Sequence, residues 1–156
     1  MLIASRGYPQ IYYGTEVMLD GIPGNYEGHR FDFPGGWAGD KHNAFNADTR
    51  TVKENEIFNY LKALLHYRKA NPVLQSGKMK QFIPENGVYV FFRYNSTKTV
   101  MVVCNNNENE NVLSTDRFTE ATKGFVSGTD IISGKTVDIL KTVTIPGKTV
   151  LILELH

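Results

Sequence analysis

The spacing of hydrophobic positions changes near Pro72. Before it, apolar residues recur at helical intervals and form one stripe, which consists of Ile57, Tyr60, Leu61, Leu64 and Leu65. Thr51 and Glu54 have the spacing of a capping box, in which each side chain satisfies a free backbone N–H of the other residue. Asn71 precedes a proline, and this position disfavours helical geometry. The pattern predicts an amphipathic helix that starts after Thr51 and ends at Asn71.

After Pro72 the apolar residues alternate with period two. Short β-branched and aromatic runs follow one another, among them "MKQFI", "GVYVFFRY", "TVMVVCN", "TVDIL", "TVTI" and "TVLILEL". Turn residues such as Asn86-Gly87 and Pro146-Gly147 separate them. Seven or eight short strands in roughly 85 residues are typical of an antiparallel sandwich or barrel. The polar tract "NNNENEN" (105–111) is predicted to be an exposed loop.

The first fifty residues follow neither period for most of their length. Residues 17–48 are rich in Gly, Asp and Asn, yet their large aromatics, among them Phe31, Phe33, Trp37 and Phe45, favour an ordered functional loop over disorder. The preceding run "RGYPQIYYGTE" (6–16) is typical of a buried strand. A lone strand and helix cannot bury the strand on both faces. We therefore expect the first 72 residues to be the last unit of a larger α/β assembly whose earlier part is absent.

Composition narrows the function classes. The chain has 156 residues, with 41% hydrophobic and 21% charged residues, which is typical of a soluble globular protein, and it gives no indication of the compartment. A net charge of +1 gives no reason to expect nucleic acid or a membrane surface, and no apolar stretch reaches the roughly 20 residues of a membrane span. Cys104, the single cysteine, lies in an apolar run and is predicted to be a buried, inert thiol. The four histidines lack ligand spacing, so we expect neither a metal nor another cofactor.

The opening run resembles the eighth barrel strand of the α-amylase superfamily (glycoside hydrolase family 13), where Gly-x-Pro-x-x-Tyr-Tyr-Gly-x-Glu is characteristic. The runs "GHRFDFPGGWAGD" and "RKANPVLQSGK" resemble the neopullulanase or cyclomaltodextrinase branch, and the terminal β region resembles the small C-terminal domain of those enzymes. The resemblance implies a mainly β chain, in which a C-terminal antiparallel β-sandwich (73–156) follows the last β-loop-α unit of a truncated (β/α)8 barrel (1–72).

The resemblance also implies an activity for the parent enzyme. Members of the family cleave α-1,4 or α-1,6 glucosidic bonds of starch, maltodextrin, cyclodextrin or pullulan with retention, which needs two carboxyl groups about 5–5.5 Å apart. The family's catalytic Asp, Glu and Asp follow barrel strands 4, 5 and 7 and would lie upstream of Met1. No catalytic residue is therefore assigned here. We expect the chain to be inactive alone and to complete and stabilise the catalytic barrel.

The long loop carries the candidate substrate contacts. In relatives an Asp-x-x-x-Arg pair binds a glucose; Arg30 occupies the arginine place, whereas Tyr26 stands in the aspartate place, which is a departure from the family pattern. Trp37 either stacks on a sugar or fills its own loop, and the second is preferred. Tyr13 either contacts sugar or packs within the barrel.

Two carboxylates beside these residues are assigned structural roles near the site. Glu16 is expected to orient the barrel mouth by a hydrogen bond. Asp32 or Glu27 is the expected partner of Arg30 if that arginine forms a salt bridge instead of binding sugar.

Two further interpretations remain open. One is a non-catalytic carbohydrate-binding sandwich, invited by the aromatic residues Tyr89, Phe91, Phe92 and Tyr94. The other interpretation is a homodimer. It is predicted because no barrel covers the apolar surface of the barrel remnant, which consists of Leu2, Ile3, Ile11, Tyr12, Tyr13 and the helix stripe.

Overall fold

A computed structural model describes residues 1–21 and 31–156 of the chain. The chain divides into two compact units, one formed by Met1–Pro9 with Leu64–His156 and the other by Gln10–Ala63. The long helix α1 (Val52–Ala70) contributes residues to both. None of the helices in the described ranges is long and apolar enough to cross a membrane.

The larger unit is built from two antiparallel sheets. Its strands are β1 (Lys78–Gln81), β2 (Val88–Tyr94), β3 (Thr99–Asn105), β4 (Asn111–Ser114), β5 (Ser127–Asp130), β6 (Thr136–Asp138), β7 (Thr142–Ile145) and β8 (Thr149–Leu155). Six of them form one sheet in the order β1-β2-β3-β8-β5-β6, while β4 pairs with β7. Two short helices, α2 (Pro72–Gln75) and α3 (Thr119–Thr122), interrupt the sequence of strands. The predicted mainly β, antiparallel fold is confirmed.

The core contains side chains from both sheets. Alternation along β2 places Val88, Val90 and Phe92 in this core, where Phe92 is fully buried. Val143 and Ile145 of β7 belong to the same cluster. Phe118, also fully buried, stacks edge-on against Phe82 at a centroid distance of 4.8 Å. The strands are therefore fixed in register, because a shift by one residue would turn these side chains outward.

The opposite face of the larger sheet is also buried. Phe91 and Val102 on this face have no exposed surface, and α2 contacts β2. Tyr67 of α1 donates a hydrogen bond of 2.6 Å to Oε2 of Glu154 in β8. The larger sheet is thus covered on both sides at its centre, which explains why β2 and β3 read as nearly continuous apolar runs.

Two buried arginines hold the N-terminal segment, residues 1–9. Arg68, near the end of α1, donates from Nη1 to the carbonyls of Ile3 at 2.7 Å and Ser5 at 3.2 Å, and from Nη2 to that of Gly7 at 2.6 Å. Burial lowers the pKa of Arg68. The guanidinium of Arg68 therefore donates the hydrogen bonds that the backbone N–H groups of a neighbouring strand would otherwise donate to the carbonyls of residues 3, 5 and 7.

Arg93, the second of these arginines, is fully buried on β2. Its Nη1 donates to the carbonyls of Ala4 at 3.1 Å and Ser5 at 2.9 Å, and its Nη2 donates to that of Gly77 at 3.0 Å. A planar guanidinium suits such a task because its donors point in fixed, divergent directions. Arg93 thereby connects the N-terminal segment to the sheet.

The predicted opening strand is not formed. Residues 6–16 contain no strand, and the nearby local structure consists of short 3-10 turns at Leu2–Ala4 and Thr15–Val17. A strand is maintained by a ladder of hydrogen bonds to a neighbour, and here the carbonyls of residues 3, 5 and 7 are bound by Arg68 instead. Tyr8 is fully exposed as a result.

The smaller unit contains the predicted capping box. The backbone N–H of Thr51 donates to Oε2 of Glu54 at 2.6 Å, and the N–H of Glu54 donates to Oγ1 of Thr51 at 3.3 Å. The hydrogen bond from the Thr51 backbone is the main reason that the pKa of Glu54 is lowered. The helix that follows spans Val52–Ala70, as the apolar stripe and Asn71-Pro72 predict.

The acid stability of the chain is expected to depend on Glu154. Burial alone would raise the pKa of this carboxyl, but hydrogen bonds from Lys98 and Tyr67 and the charge of Lys98, whose Nζ lies 2.6 Å from Oε1, lower it on balance. Because the folded pKa lies below the unfolded one, the stabilisation is complete above the unfolded pKa and is lost as the pH falls through the folded value. Glu154→Gln should lower the free energy of unfolding by about 2 kcal/mol at pH 7. Urea unfolding at several pH values should show this difference shrinking below the unfolded pKa.

The matched control is Glu120→Gln. Glu120 also pairs with a lysine, Lys80, at 2.9 Å, but both side chains are well exposed. Exposed pairs contribute roughly 0–1 kcal/mol, so this variant should unfold almost like the parent chain. An equal loss in both variants, or a Glu154→Gln effect independent of pH, would contradict the assignment.

Candidate functional site

Tyr13 lies at the turn where the long loop begins. Its hydroxyl donates to the carbonyl of Phe31 at 3.0 Å, and its ring packs on Tyr12 at a centroid distance of 4.6 Å. The next residue, Gly14, has φ +84°, and a Cβ there would lie 2.5 Å from Cβ of Leu19, so only glycine fits. Tyr13 is 42% exposed. It therefore fastens the start of the loop to residue 31 and keeps part of its ring accessible.

The two carboxylates assigned near the site, Glu16 and Asp32, do not interact with each other among the described residues. Glu16 is half-buried in the 3-10 turn Thr15–Val17, and Asp32 is exposed beside Phe31. Within residues 1–21 and 31–156, no hydrogen bond or ion pair joins Glu16, Asp32 and Trp37 to one another. Tyr13 brings the backbone beside Asp32 close to the start of the loop through its bond to Phe31. The barrel-mouth role of Glu16 and the salt bridge between Asp32 and Arg30 stay predictions.

Trp37 is presented at the tip of a tight turn. Its backbone N–H donates to Oδ2 of Asp40 at 3.0 Å, and the N–H of Asp40 returns a bond of 3.2 Å to its carbonyl. Gly35 and Gly36 on its N-terminal side have φ of +110° and +100°. The indole is 71% exposed, so the preferred interpretation that Trp37 fills its own loop is wrong. The positive-φ glycines force the turn and leave the ring outside it.

Other aromatic residues in and beside this loop make contacts with their neighbours, although Phe45 remains exposed. Phe33 and Phe45 pack together at a centroid distance of 4.5 Å, and the guanidinium of Arg50 lies 3.6 Å from the centre of the Phe58 ring. These contacts support the prediction that residues 31–48, the described end of the long loop, are ordered. Arg30 and Tyr26, the positions that resemble the family's sugar-binding pair, lie outside the described residues.

The surroundings of the remaining candidate side chains, a histidine, the cysteine and two phenylalanines, indicate structural roles. His42 lies 3.0 Å from Oε1 of Glu54, and among the described residues no group of three or more His, Cys, Asp or Glu could hold a metal ion. Cys104 is only half-buried, whereas a buried thiol was predicted. Partial burial nevertheless raises the pKa of this thiol, which fits the predicted inertness because a nucleophilic cysteine needs a lowered pKa. Phe91 and Phe92 are fully buried, so they cannot contact a glucan.

Tyr89 and Tyr94, the two tyrosines of that group, are half-buried, and a groove on the larger unit lies beside Tyr89. It has a volume of about 500 Å³, and its lining includes Pro84, Tyr89, Cys104, Asn106 and Lys148. Tyr89 is half-buried, and its hydroxyl donates to Oε1 of Gln81 at 2.8 Å. Tyrosine with amide and ammonium groups is a suitable lining for a sugar, and the spacing of the strand residues alone did not indicate it.

Comparison with known proteins shows what the chain is similar to. Residues 79–154 match the model of the cyclo-malto-dextrinase C-terminal domain. The cyclomaltodextrin glucanotransferase of Niallia circulans is 29% identical over 139 residues, which cover 84% of this chain and 17% of that protein. The chain therefore spans about a sixth of the length of this curated relative.

Solved structures agree over nearly the whole chain. The alpha-amylase of Geobacillus thermoleovorans, solved with acarbose, has a TM-score of 0.74 at 20% identity and matches 99% of this chain with 31% of its own. AmyP, solved with maltose, has a TM-score of 0.71 at 16% identity and matches 98% of this chain with 32% of its own. At these identities the likeness establishes the fold, and it includes the residues that precede the β domain.

Proposed function

Since this chain belongs to the α-amylase superfamily (glycoside hydrolase family 13), of which it forms a C-terminal part, we propose that it completes and stabilises the catalytic barrel of an α-glucan hydrolase. The substrates would be starch, maltodextrin, cyclodextrin or pullulan, and the neopullulanase-like branch is the one that the loop sequence resembles. The observation that carries the proposal is the match of 99% of this chain to 31% of an alpha-amylase. The match covers the loop and helix as well as the sandwich.

The chemistry of the parent enzyme would be retaining hydrolysis. One carboxylate attacks the anomeric carbon, a second carboxyl group protonates the leaving oxygen, and water then hydrolyses the glycosyl-enzyme. Glu16 and Asp32 are the carboxylates expected near the site, and neither is assigned a part in this reaction. The division into a barrel remnant (1–72) and a sandwich (73–156) is part of the same proposal.

The loop residues would hold substrate at the edge of the active site. Trp37, with its exposed indole, would stack on the apolar face of a glucose unit. Tyr13 would support the loop and offer the accessible edge of its ring, and Arg30 would donate hydrogen bonds to sugar hydroxyls. Glu16 and Asp32 would fix the position of the loop. The oligosaccharide seen with AmyP, maltose, is the kind of ligand that these groups suit.

The purified chain is expected to release no reducing ends from maltodextrin, pullulan or cyclodextrin. Hydrolysis needs a positioned pair of carboxyl groups, and no residue of this chain is assigned either of the two roles. A reducing-end assay run for hours at high protein concentration measures this. Turnover that disappears in a Glu16→Gln variant and persists in a Glu120→Gln variant would overturn the proposal.

The second candidate function is a non-catalytic carbohydrate-binding module. The groove beside Tyr89 favours it, because this ring remains partly accessible next to Asn106 and Lys148. Affinity electrophoresis in gels that contain soluble starch separates the two candidates. Retardation abolished by Tyr89→Ala and retained in Trp37→Ala would favour the binding module, and the reverse pattern would favour the barrel-mouth loop.

A further inference from the structure

Arg68 and Arg93 form a buried pair of like charges. Their Nη1 atoms donate to the same carbonyl, that of Ser5, at 3.2 Å and 2.9 Å, so the two guanidinium groups lie side by side. Arg68 is 8% exposed and Arg93 is fully buried. Charged groups removed from water are ordinarily paired with an opposite charge, because burial of an isolated charge is costly.

The described part of the chain supplies no anion to this pair. Its ion pairs join other residues, and no carboxylate lies within ion-pair distance of Arg6, Arg68 or Arg93 in residues 1–21 and 31–156. The acceptors that these arginines do have are neutral backbone carbonyls. Carbonyl dipoles satisfy hydrogen-bond donors, but they leave the net charge of the pair uncompensated.

One N–H donor of Arg93 makes no hydrogen bond with the described protein atoms. Its Nε is buried and has no acceptor among the described protein atoms, although both of its terminal nitrogens are bonded. Buried donors without partners are rare, and an unseen ion or water is a standard explanation. Burial, followed by the charges of Arg68 and Arg6, lowers the pKa of Arg93, which means that a nearby anion would be favourable to it.

A groove on the surface reaches Arg68, the member of the pair that keeps some exposed surface. The groove has a volume of about 540 Å³ and is lined by Tyr8, Arg68, Lys69, Gln75 and Ser76, among others. Its charged lining residues are both cations, and Ser76 adds a hydroxyl. A small anion would therefore find positive charge and hydrogen-bond donors along its way to Arg68.

We propose that Arg6, Arg68 and Arg93 form a binding site for a small oxoanion, of the carboxylate or phosphate type. One oxygen of the anion would accept the Nε–H of Arg93, and its charge would compensate the side-by-side guanidinium groups. Arg6, which is exposed on the same N-terminal segment, would add a third positive charge. The site is independent of glucan hydrolysis, and its effect would be to fix residues 1–9 on the sandwich.

The test is an NMR titration of the whole chain. Spectra of the ¹H–¹⁵N signals of arginine Nε–H groups are recorded while sodium acetate or inorganic phosphate replaces sodium perchlorate at constant ionic strength. The Arg93 signal, identified by its loss in Arg93→Lys, should shift and saturate with a millimolar dissociation constant. Arg6→Gln should weaken binding several-fold, since it removes an exposed side chain and one of three charges. Arg117→Gln, an exposed arginine paired with Glu85, is the matched control and should bind like the parent chain.

The outcomes separate the possible sources of the anion. Tighter binding of acetate indicates a carboxylate, as a protein side chain would provide, and tighter binding of phosphate indicates a free tetrahedral oxoanion; each supports the site. An unchanged Arg93 signal overturns the proposal. A linear drift that Arg117 shares and Arg6→Gln does not alter also overturns it, because general salt effects produce that behaviour.

Discussion

Arg93→Met is expected to lower the free energy of unfolding by about 3 kcal/mol, because two backbone carbonyls lose the donor that Arg93 provides and a third keeps only its longer bond from Arg68; the loss of a donor costs about 1–3 kcal/mol. The acceptors are Ala4, Ser5 and Gly77, and they connect the N-terminal segment to the sheet. Relief of the repulsion between Arg93 and Arg68 offsets part of this cost. Urea unfolding measures the total, and hydrogen exchange should show that protection of residues 1–9 falls most.

Two further variants distinguish the shape of the guanidinium from its charge. Arg93→Lys keeps the charge but has a single nitrogen, which cannot reach carbonyls on both sides, so it should be nearly as unstable as Arg93→Met. Arg117→Met is the control: this exposed arginine bonds Ile83 and Glu85, and its loss should cost less than about 1 kcal/mol. Full stability in Arg93→Lys would show that charge alone matters and would contradict the role given to the fork of donors.

The sequence predicts those elements whose signals are local. Thr51 and Glu54 form the capping box that their spacing indicates, and the helix ends before Pro72. The same proline also begins α2, which the pattern did not indicate, because the fixed φ of proline suits the first position of a helix as well as it stops the preceding one. β4 begins at Asn111, the last residue of the tract predicted to be a loop, and it pairs only with β7. A strand of four residues is too short to show a clear alternation of apolar and polar positions, so the sequence pattern did not indicate where β4 begins.

Contacts between distant parts of the chain are what the sequence does not reveal. Alternation along β2 assigns Arg93 to the face opposite Phe92, but it does not tell what covers that face. The cover is the segment around Ala4 and Ser5, nearly ninety residues earlier. The one indication in the sequence was the arginine itself, because a charged residue within the apolar run of β2 needs hydrogen-bond acceptors from elsewhere in the chain. At the candidate site, the resemblance identified Trp37, yet its exposure follows from the backbone of Gly35 and Gly36 and not from residue type.

The chain is expected to associate with itself when no catalytic barrel is present. Large apolar side chains of the smaller unit are exposed, namely Tyr12 at 58%, Val52 at 77%, Ile57 at 37% and Tyr60 at 42%. Part of the surface predicted to need cover is already buried within the chain, since Ile3 is 6% and Leu64 is 4% exposed. What remains is concentrated on residues 10–63, so a second copy is expected to pack there. Light scattering over a concentration series should show the mass rising towards that of a dimer.

Ile57→Lys is the variant that tests this surface. Full burial of an isoleucine contributes about 1.5–3 kcal/mol, of which only part remains to be gained at Ile57 because it is 37% exposed. The cost of removing a lysine charge from water adds to this loss, so association should weaken by about tenfold or more. Asn59→Lys adds the same charge at an exposed polar position of α1 and should leave association unchanged. If the unmodified chain stays monomeric at every concentration, the prediction of self-association is wrong and the exposed apolar side chains are tolerated in water. Equal weakening in both variants would show that net charge, and not the apolar stripe, controls association.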